Sequence, residues 1–179
     1  MKEESKIQTS YEVSFKIDDY DFIFSDFDAR HYSQRSISDD FLITAKKAIT
    51  GKEHENIEVK FLIKKDKRST AIEEIIKKRL HDHFKKHEKT LEKELNEIRN
   101  KGIALTIIGI GLMITATQLR FFDLDKIFWY SILIAIIEPA GWFAMWFGLD
   151  HFFYLNKDKK KEYDFYKKMS SSKIHFREF

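Results

Sequence analysis

Two long apolar stretches interrupt an otherwise polar chain. Residues 102–119 contain no charged side chain, and residues 127–149 contain a single acidic one, Glu138, and no basic one. As a helix rising about 1.5 Å per residue, the first stretch would be roughly 27 Å long, close to the ~30 Å hydrocarbon core of a bilayer. The pattern predicts two transmembrane helices, at residues 102–119 and 127–149, joined by an external link at residues 120–126.

Short alternating segments flank this hairpin on both sides. Apolar and polar residues alternate over 11–17, 56–65 and 174–177, as they do in strands with one buried face. Two strands alone make a marginal sheet, so we expect the C-terminal strand to join the two N-terminal ones. Between the first two strands, residues 38–51 predict a short helix that begins at a serine cap and ends at a glycine.

A long helix is predicted after the second strand. Apolar residues recur every four positions, at Ile72, Ile76, Leu80 and Phe84. Nothing breaks the helical pattern before the first apolar stretch, so the helix should begin near Ser69 and run for about 50 residues into the membrane. Its lower part, residues 89–100, is highly charged with a narrow apolar seam, which favours either a solvated stalk or a coiled-coil contact.

Together these elements predict an α+β membrane protein. Its soluble domain would be built from both ends of the chain and would hang on a transmembrane helical hairpin. The predicted segments are an α+β segment at 1–68, a long helix at 69–101, the hairpin at 102–149, and a C-terminal helix and strand at 150–179.

Basic residues cluster beside the predicted membrane helices, although the formal net charge of the whole chain is only +3. The link holds just two of them, Arg120 and Lys126. The positive-inside rule therefore places both termini in the cytoplasm, with the first apolar stretch as an uncleaved insertion signal. Basic residues clustered beside membrane helices favour binding to anionic lipid headgroups over binding to nucleic acid. The predicted interfacial basic residues are Arg99, Lys101, Lys157, Lys159, Lys160 and Lys161.

Both apolar stretches also carry small residues at helical spacing. Gly111 and Thr115 are four apart in the first, and Gly141, Ala144 and Gly148 follow in the second. Small side chains let helix backbones approach closely in lipid. These residues predict either the contact within the hairpin or a contact between subunits of a homo-oligomer.

The pair Glu138 and Pro139 is the sharpest feature of the hairpin. An ionisable residue inside a membrane helix is a functional candidate by default, in an ion or proton pathway or in sensing. Alternatively, Glu138 is protonated or hydrogen-bonded to Thr106, Thr115 or Ser131, and holds together a hairpin kinked at the proline. In either case we expect Glu138 to face the hairpin or a subunit interface rather than lipid.

The sequence contains only weak indications of a metal site or a catalytic site. His83 and His87 lie four apart on the long helix and could present two imidazoles to a metal, but no third ligand is evident and packing or solvated histidines are favoured. Asp26 and Asp28 resemble a phosphatase nucleophile pair, yet Arg30 follows, which favours a turn with an Asp–Arg pair. The chain has no cysteine. We predict no catalytic residue, no cofactor and no enzymatic activity.

Several short motifs resemble an uncharacterised family of small bacterial inner-membrane proteins with a two-helix transmembrane hairpin and a cytoplasmic α+β domain. They are the FSDFDAR segment at 24–30, His83 with Phe84, Glu138, and Gly141 with Trp142 ahead of Trp146. The chain departs from the family where a proline is usual after Trp146. The resemblance implies a multi-pass protein of the bacterial inner membrane and no established activity.

Two functions from different classes follow from these patterns. The first is a non-enzymatic inner-membrane protein whose cytoplasmic domain binds an unknown protein partner or assembles, with the hairpin as anchor. The second is a small oligomeric channel or membrane-perturbing effector, gated by the cytoplasmic domain. A membrane-tethered enzyme is the least favoured class.

Overall fold

The computed structural model describes residues 11–51, 57–153 and 156–179. The described residues form an α+β protein, as predicted. The strands are β1 (Tyr11–Lys16), β2 (Ile57–Ile63) and β3 (Lys173–Glu178), and the helices are α1 (Asp39–Ile49), α2 (Thr70–Phe121), α3 (Phe128–Phe153) and α4 (Asn156–Ser171). Short 3-10 turns lie at Tyr20–Ile23, Lys65–Lys67 and Leu124–Lys126. Asn56, the predicted start of the second strand, lies outside the described residues.

The three strands form one sheet in the order β1-β2-β3, which confirms that the C-terminal strand joins the N-terminal ones. Both neighbouring pairs are parallel, with Phe15 beside Phe61 and Phe61 beside Phe176. Strand alternation sets which side chains share a face and leaves strand direction open, so the sequence pattern did not predict a parallel sheet. The segments between the strands, which contain the helices, make the crossovers that parallel pairing requires.

The core of this sheet centres on Phe61, whose side chain is fully buried. Its ring stacks on Phe176 at 5.1 Å and packs against Phe41 of α1 at 5.7 Å. Phe84 of α2 is equally buried and meets Phe165 of α4 edge-on at 6.2 Å. Because aromatic side chains bury a large apolar area each, these contacts between separate elements give the sheet and its helices a common core.

A buried carboxylate, Glu73, stabilises the start of α2. It is 3 % exposed, receives two hydrogen bonds from Arg68 at 2.9 and 3.0 Å, and accepts another from the Tyr20 hydroxyl at 3.0 Å. The Tyr20 oxygen also accepts the backbone N–H of Ser69. Burial raises the pKa of Glu73, but the hydrogen bonds from Arg68 and Tyr20 outweigh it and lower the pKa. A paired, fully bonded carboxylate of this kind is structural.

The chain divides into two units. The α+β unit comprises described residues 11–51, 57–89 and 163–179, and the hairpin unit comprises residues 90–153 and 156–162. Helix α2 is continuous from Thr70 to Phe121, which confirms the single long helix predicted from the sequence. It ends two residues beyond the predicted position, so Arg120 belongs to its last turn and not to the link.

Candidate functional site

Within the hairpin unit, α2 and α3 meet along buried residues seven positions apart. A Cβ added to Gly102 would lie 2.9 Å from the carbonyl oxygen of Gly148, and one added to Gly109 would lie 2.6 Å from that of Gly141. The two helices are therefore antiparallel and in backbone contact. A repeat of seven is typical of the left-handed packing in which the seam keeps facing its partner. The seam consists of Gly102, Gly109 and Ala116 on α2 and Ile134, Gly141 and Gly148 on α3.

This seam contains only part of the predicted packing face. Gly141 and Gly148 lie in it, and Ala144 is half-buried beside it. Gly111 and Thr115, in contrast, do not belong to the hairpin contact: a Cβ on Gly111 would meet nothing within 4 Å, and Thr115 is exposed. A spacing of four moves around a helix of 3.6 residues per turn, whereas the glycine repeat of seven stays on one face. The repeat of seven is therefore the sequence pattern that predicts which faces of the two helices meet.

The partner of Glu138 is Arg120. The guanidinium donates two hydrogen bonds to the carboxylate, at 2.6 Å to Oε2 and 3.2 Å to Oε1. The predicted bonds from Thr106 and Thr115 are not formed, because those hydroxyls donate to carbonyls of their own helix at Gly102 and Gly111. Bidentate pairing of this kind is the strong form of Arg–carboxylate contact.

Helix geometry explains how Arg120 and Glu138 meet. Side chains lean toward the N-terminus of their own helix. Since α2 and α3 are antiparallel, Arg120 leans away from the link and Glu138 leans toward it, so the two converge. The sequence pattern predicted that Arg120 lies in the link, beyond the end of the first membrane helix, so the ion pair with Glu138 was not predicted.

The ion pair does not lie inside the hairpin. The side chains of Arg120 and Glu138 are 54 % and 42 % exposed, so the pair sits on the rim of the two-helix contact. Pro139, the next residue, is exposed, and α3 continues through it from Phe128 to Phe153. Because proline has no N–H, the carbonyl one turn before it, at Ala135, loses its helical donor.

The predicted interfacial basic residues all lie in the hairpin unit. Lys159 of α4 pairs with Glu94 of α2 at 2.5 Å, so these parts of the two helices contact each other. Lys161 pairs within α4 with Asp158 at 3.7 Å. The exposed members are Arg99, Lys101, Lys157, Lys160 and Lys161.

His83 and His87 belong to the α+β unit and stand side by side on α2. Their ring centroids are 4.5 Å apart, and His87 stacks on Tyr166 of α4 at 5.0 Å. Both histidines line a cleft of about 410 Å³. Among the described residues, no group of three or more His, Cys, Asp or Glu side chains could hold a metal.

The environment of His83 opposes protonation. Burial lowers its pKa to about 4, and the nearby His87, Arg79 and Lys86 add to the shift. Its Nε2 is buried without a hydrogen-bond partner among the described residues. A neutral imidazole with an unsatisfied nitrogen is therefore held against a basic helix face.

We expect acid to destabilise the α+β unit through His83. Its pKa is lower in the folded chain (about 4) than the ordinary 6.5, so protons favour the unfolded state. The stabilisation is complete above about pH 6.5, is lost as the pH falls toward about 4, and changes no further below that. Thermal unfolding followed by circular dichroism in phosphate-free buffer measures this. His83→Gln should reduce the dependence and leave the part that comes from the lowered pKa values of Glu73 and Asp28, whereas His81→Gln, at an exposed histidine on the same helix, should leave the whole dependence in place.

The acidic motif forms a turn, as predicted. Arg30 donates to both oxygens of Asp28 at 2.8 and 2.7 Å, and the backbone N–H of Ser36 donates to the same carboxylate at 2.8 Å. The Arg30 guanidinium holds the pKa of Asp28 far below its usual range. With both oxygens engaged, Asp28 is a turn organiser and a poor general acid.

Comparisons of the chain with known proteins found no match. No protein-family model matches it, and no curated protein or solved structure is significantly similar to it.

Proposed function

We propose that this chain is a non-enzymatic integral protein of the bacterial inner membrane. In this proposal the hairpin anchors the chain, and the α+β unit binds a protein partner or assembles in the cytoplasm. The motifs that resemble the uncharacterised inner-membrane family support the location. The engaged oxygens of Asp28 argue against a phosphatase-like role for the acidic motif.

The observation that carries this proposal is the exposed apolar surface of the two long helices. Each helical stretch is long and apolar enough to cross a membrane, and 17 % of its most apolar 18-residue window is buried. The core helix of a soluble protein would be mostly buried. Large side chains such as Ile107, Phe128 and Phe143 are 64 %, 69 % and 72 % exposed. Contiguous apolar surface of this kind is stable in lipid and is an aggregation hazard in water.

The distribution of charge supports an orientation. Exposed Arg99 and Lys101 precede the first apolar stretch, and exposed Lys157 and Lys160 follow the second. Between the stretches, Arg120 is engaged by Glu138 and Lys126 by Asp123. By the positive-inside rule, both termini then lie in the cytoplasm beside anionic headgroups.

The alternative, a small oligomeric channel or membrane-perturbing effector, draws support from the exposed Arg120–Glu138 pair. Ionised groups that face lipid are costly. A second copy that covers the rim of the hairpin would remove the pair from lipid, and the open side of Gly111 offers a close approach. Two helices alone cannot enclose a pore, so this function requires several copies.

Membrane integration is tested by washing vesicles that contain the full chain with alkaline carbonate. We expect the chain to stay in the membrane pellet, and release into the supernatant would contradict the proposal. Reporter fusions in the link and at the C-terminus test orientation: a periplasm-active reporter should work only in the link. Oligomeric state in lipid nanodiscs separates the two functions, because a stable monomer removes the channel.

A further inference from the structure

The α+β unit contains a cleft whose walls are predominantly basic. We call this site the basic cleft. One helix face of α2 forms its floor, the segment leading into α1 (residues 36–39) forms one side, and Tyr166 of α4 forms the other. Arg79, His83, Lys86 and His87 recur at helical spacing on that face of α2. Its volume of about 410 Å³ falls within the range of roughly 300–1,000 Å³ that is typical of ligand sites.

The cleft holds polar nitrogens that have no hydrogen-bond partner among the described residues. The Nε2 atom of His83 is buried and has no partner among the described residues. Arg79 donates from Nε to the carbonyl of Arg35 at 3.0 Å, and its two terminal nitrogens have no acceptor in the described part of the chain. A buried polar atom without a partner is costly, and binding of a ligand or ion at that atom is one of the common explanations.

The charges that face the cleft select the sign of its ligand. Arg79 and Lys86 are cationic at neutral pH, and His83 and His87 become cationic when protonated, whereas Asp39 on α1 is the acidic residue of the lining. Two fixed cations beside the imidazoles oppose a metal ion at the histidine pair. An anion would be stabilised by the same cations and would accept hydrogen bonds from Arg79 and His83.

We propose that the basic cleft binds a small, multiply charged oxyanion, namely a phosphate group carried by a small organic molecule or by a lipid headgroup. A guanidinium, an ammonium and two imidazoles supply several donors to one tetrahedral anion. The cleft also leaves room for an organic substituent beside Tyr166, whose ring stacks on His87. This inference concerns the α+β unit alone and does not depend on whether the hairpin crosses a membrane.

The test titrates the full chain, held in nanodiscs of uncharged lipid, with glycerol 3-phosphate and with inorganic phosphate. The imidazole signals of His83 and His87 are followed by nitrogen–proton correlation NMR. We expect saturable binding that shifts both histidines and moves the protonation of His83 to higher pH, because the anion favours the charged imidazole. Nanodiscs that contain phosphatidylglycerol form the second arm. Signals shifted there, with no response to the soluble phosphates, would assign the phosphate group to a lipid.

Substitutions distinguish the cleft from general charge attraction. Arg79→Gln and Lys86→Gln should each weaken binding about tenfold or more, as expected from the loss of one charge-assisted hydrogen bond. Lys85→Gln removes an exposed charge one position from Lys86, outside the cleft, and should change affinity less than about twofold. Arg79→Gln also removes the hydrogen bond from Arg79 to the carbonyl of Arg35. If that loss unfolds the unit, Lys86→Gln still tests the cleft, because it leaves this bond in place.

Three results would overturn the inference. The first is the absence of any response to either soluble phosphate or to anionic nanodiscs. The second is equal weakening by Lys86→Gln and Lys85→Gln. The third is saturable Zn²⁺ binding that broadens both histidines while phosphate does not, which would assign the pair to a metal instead.

Discussion

Replacing Gly109 by leucine should drive the two helices of the hairpin apart, whereas the same change at Gly111 should leave them together. Any Cβ at Gly109 would lie 2.5 Å from the backbone nitrogen of Met145 and 2.6 Å from the carbonyl oxygen of Gly141. These are backbone atoms of a packed helix and cannot rotate away. A Cβ at Gly111 would meet nothing within 4 Å, so this glycine provides a control of identical chemistry two residues away.

The expected effect is large because, in the proposed transmembrane hairpin, lipid offers little driving force to hold the helices together. Between apolar helices in a bilayer, close packing replaces the hydrophobic effect as the main attraction. Overpacking a well-packed contact costs about 1–3 kcal/mol even in soluble cores, and a wedge at a glycine–glycine contact also removes the neighbouring contacts of the seam. Gly109→Ala should already destabilise the hairpin, and Gly109→Leu should do so more strongly.

Tryptophan fluorescence during thermal unfolding in mild detergent measures this directly. The three tryptophans of the chain, Trp129, Trp142 and Trp146, all lie on α3, so their signal reports on the hairpin. We expect a lower unfolding midpoint for both Gly109 variants and an unchanged one for Gly111→Leu. Equal shifts at the two positions would show that α2 and α3 do not meet along the described seam.

The sequence predicted the elements of this fold better than their contacts. Alternation and four-residue repeats follow from burial of one face, so both N-terminal strands, the long helix and the C-terminal strand were predicted correctly. Strand direction depends on which crossover packs best on the sheet, and a single-face pattern carries no information about it. The alternation alone therefore did not predict a parallel sheet, whereas the helix predicted between the first two strands is the kind of connection that parallel strands require.

The candidate sites were also predicted less completely in their contacts than in the elements that carry them. Small residues in the hairpin were recognised, but two spacings competed, and only the repeat of seven at Gly102 and Gly109 marks the seam. His83 and His87 were recognised as neighbours on α2, while the other walls of the basic cleft come from α1 and α4, far away in the sequence. Helix ends are uncertain by a few residues, which was enough to misplace Arg120.

Replacing Arg120 by leucine should destabilise the hairpin more than replacing Glu138 by leucine. Replacing both residues should recover most of the lost stability. Each single change to leucine leaves an unpaired charge. Arg120 lies one residue from the end of α2, so in Glu138→Leu its long side chain can reach the interface. Glu138 lies ten residues into α3 and its side chain is 42 % exposed, so in the proposed membrane hairpin Arg120→Leu leaves a short acidic side chain facing lipid without Arg120 as its partner. A charged residue at that depth costs about 2.5–3.5 kcal/mol on insertion scales.

The double variant decides between a structural pair and an incidental one. Replacing both ends of an ion pair in a low-dielectric setting by apolar residues is often neutral or stabilising, whereas breaking one end is not. Arg120→Leu with Glu138→Leu should therefore unfold near the wild-type midpoint in the tryptophan assay, giving a strong coupling in the double-mutant cycle. Lys126→Leu is the control, because its ion pair with Asp123 is more than 70 % exposed on both sides. If each single variant loses no more stability than Lys126→Leu, and the two losses simply add in the double variant, Arg120 and Glu138 do not hold the two helices together. A role for Glu138 between copies of the chain then becomes the better explanation for a charge at this position in α3.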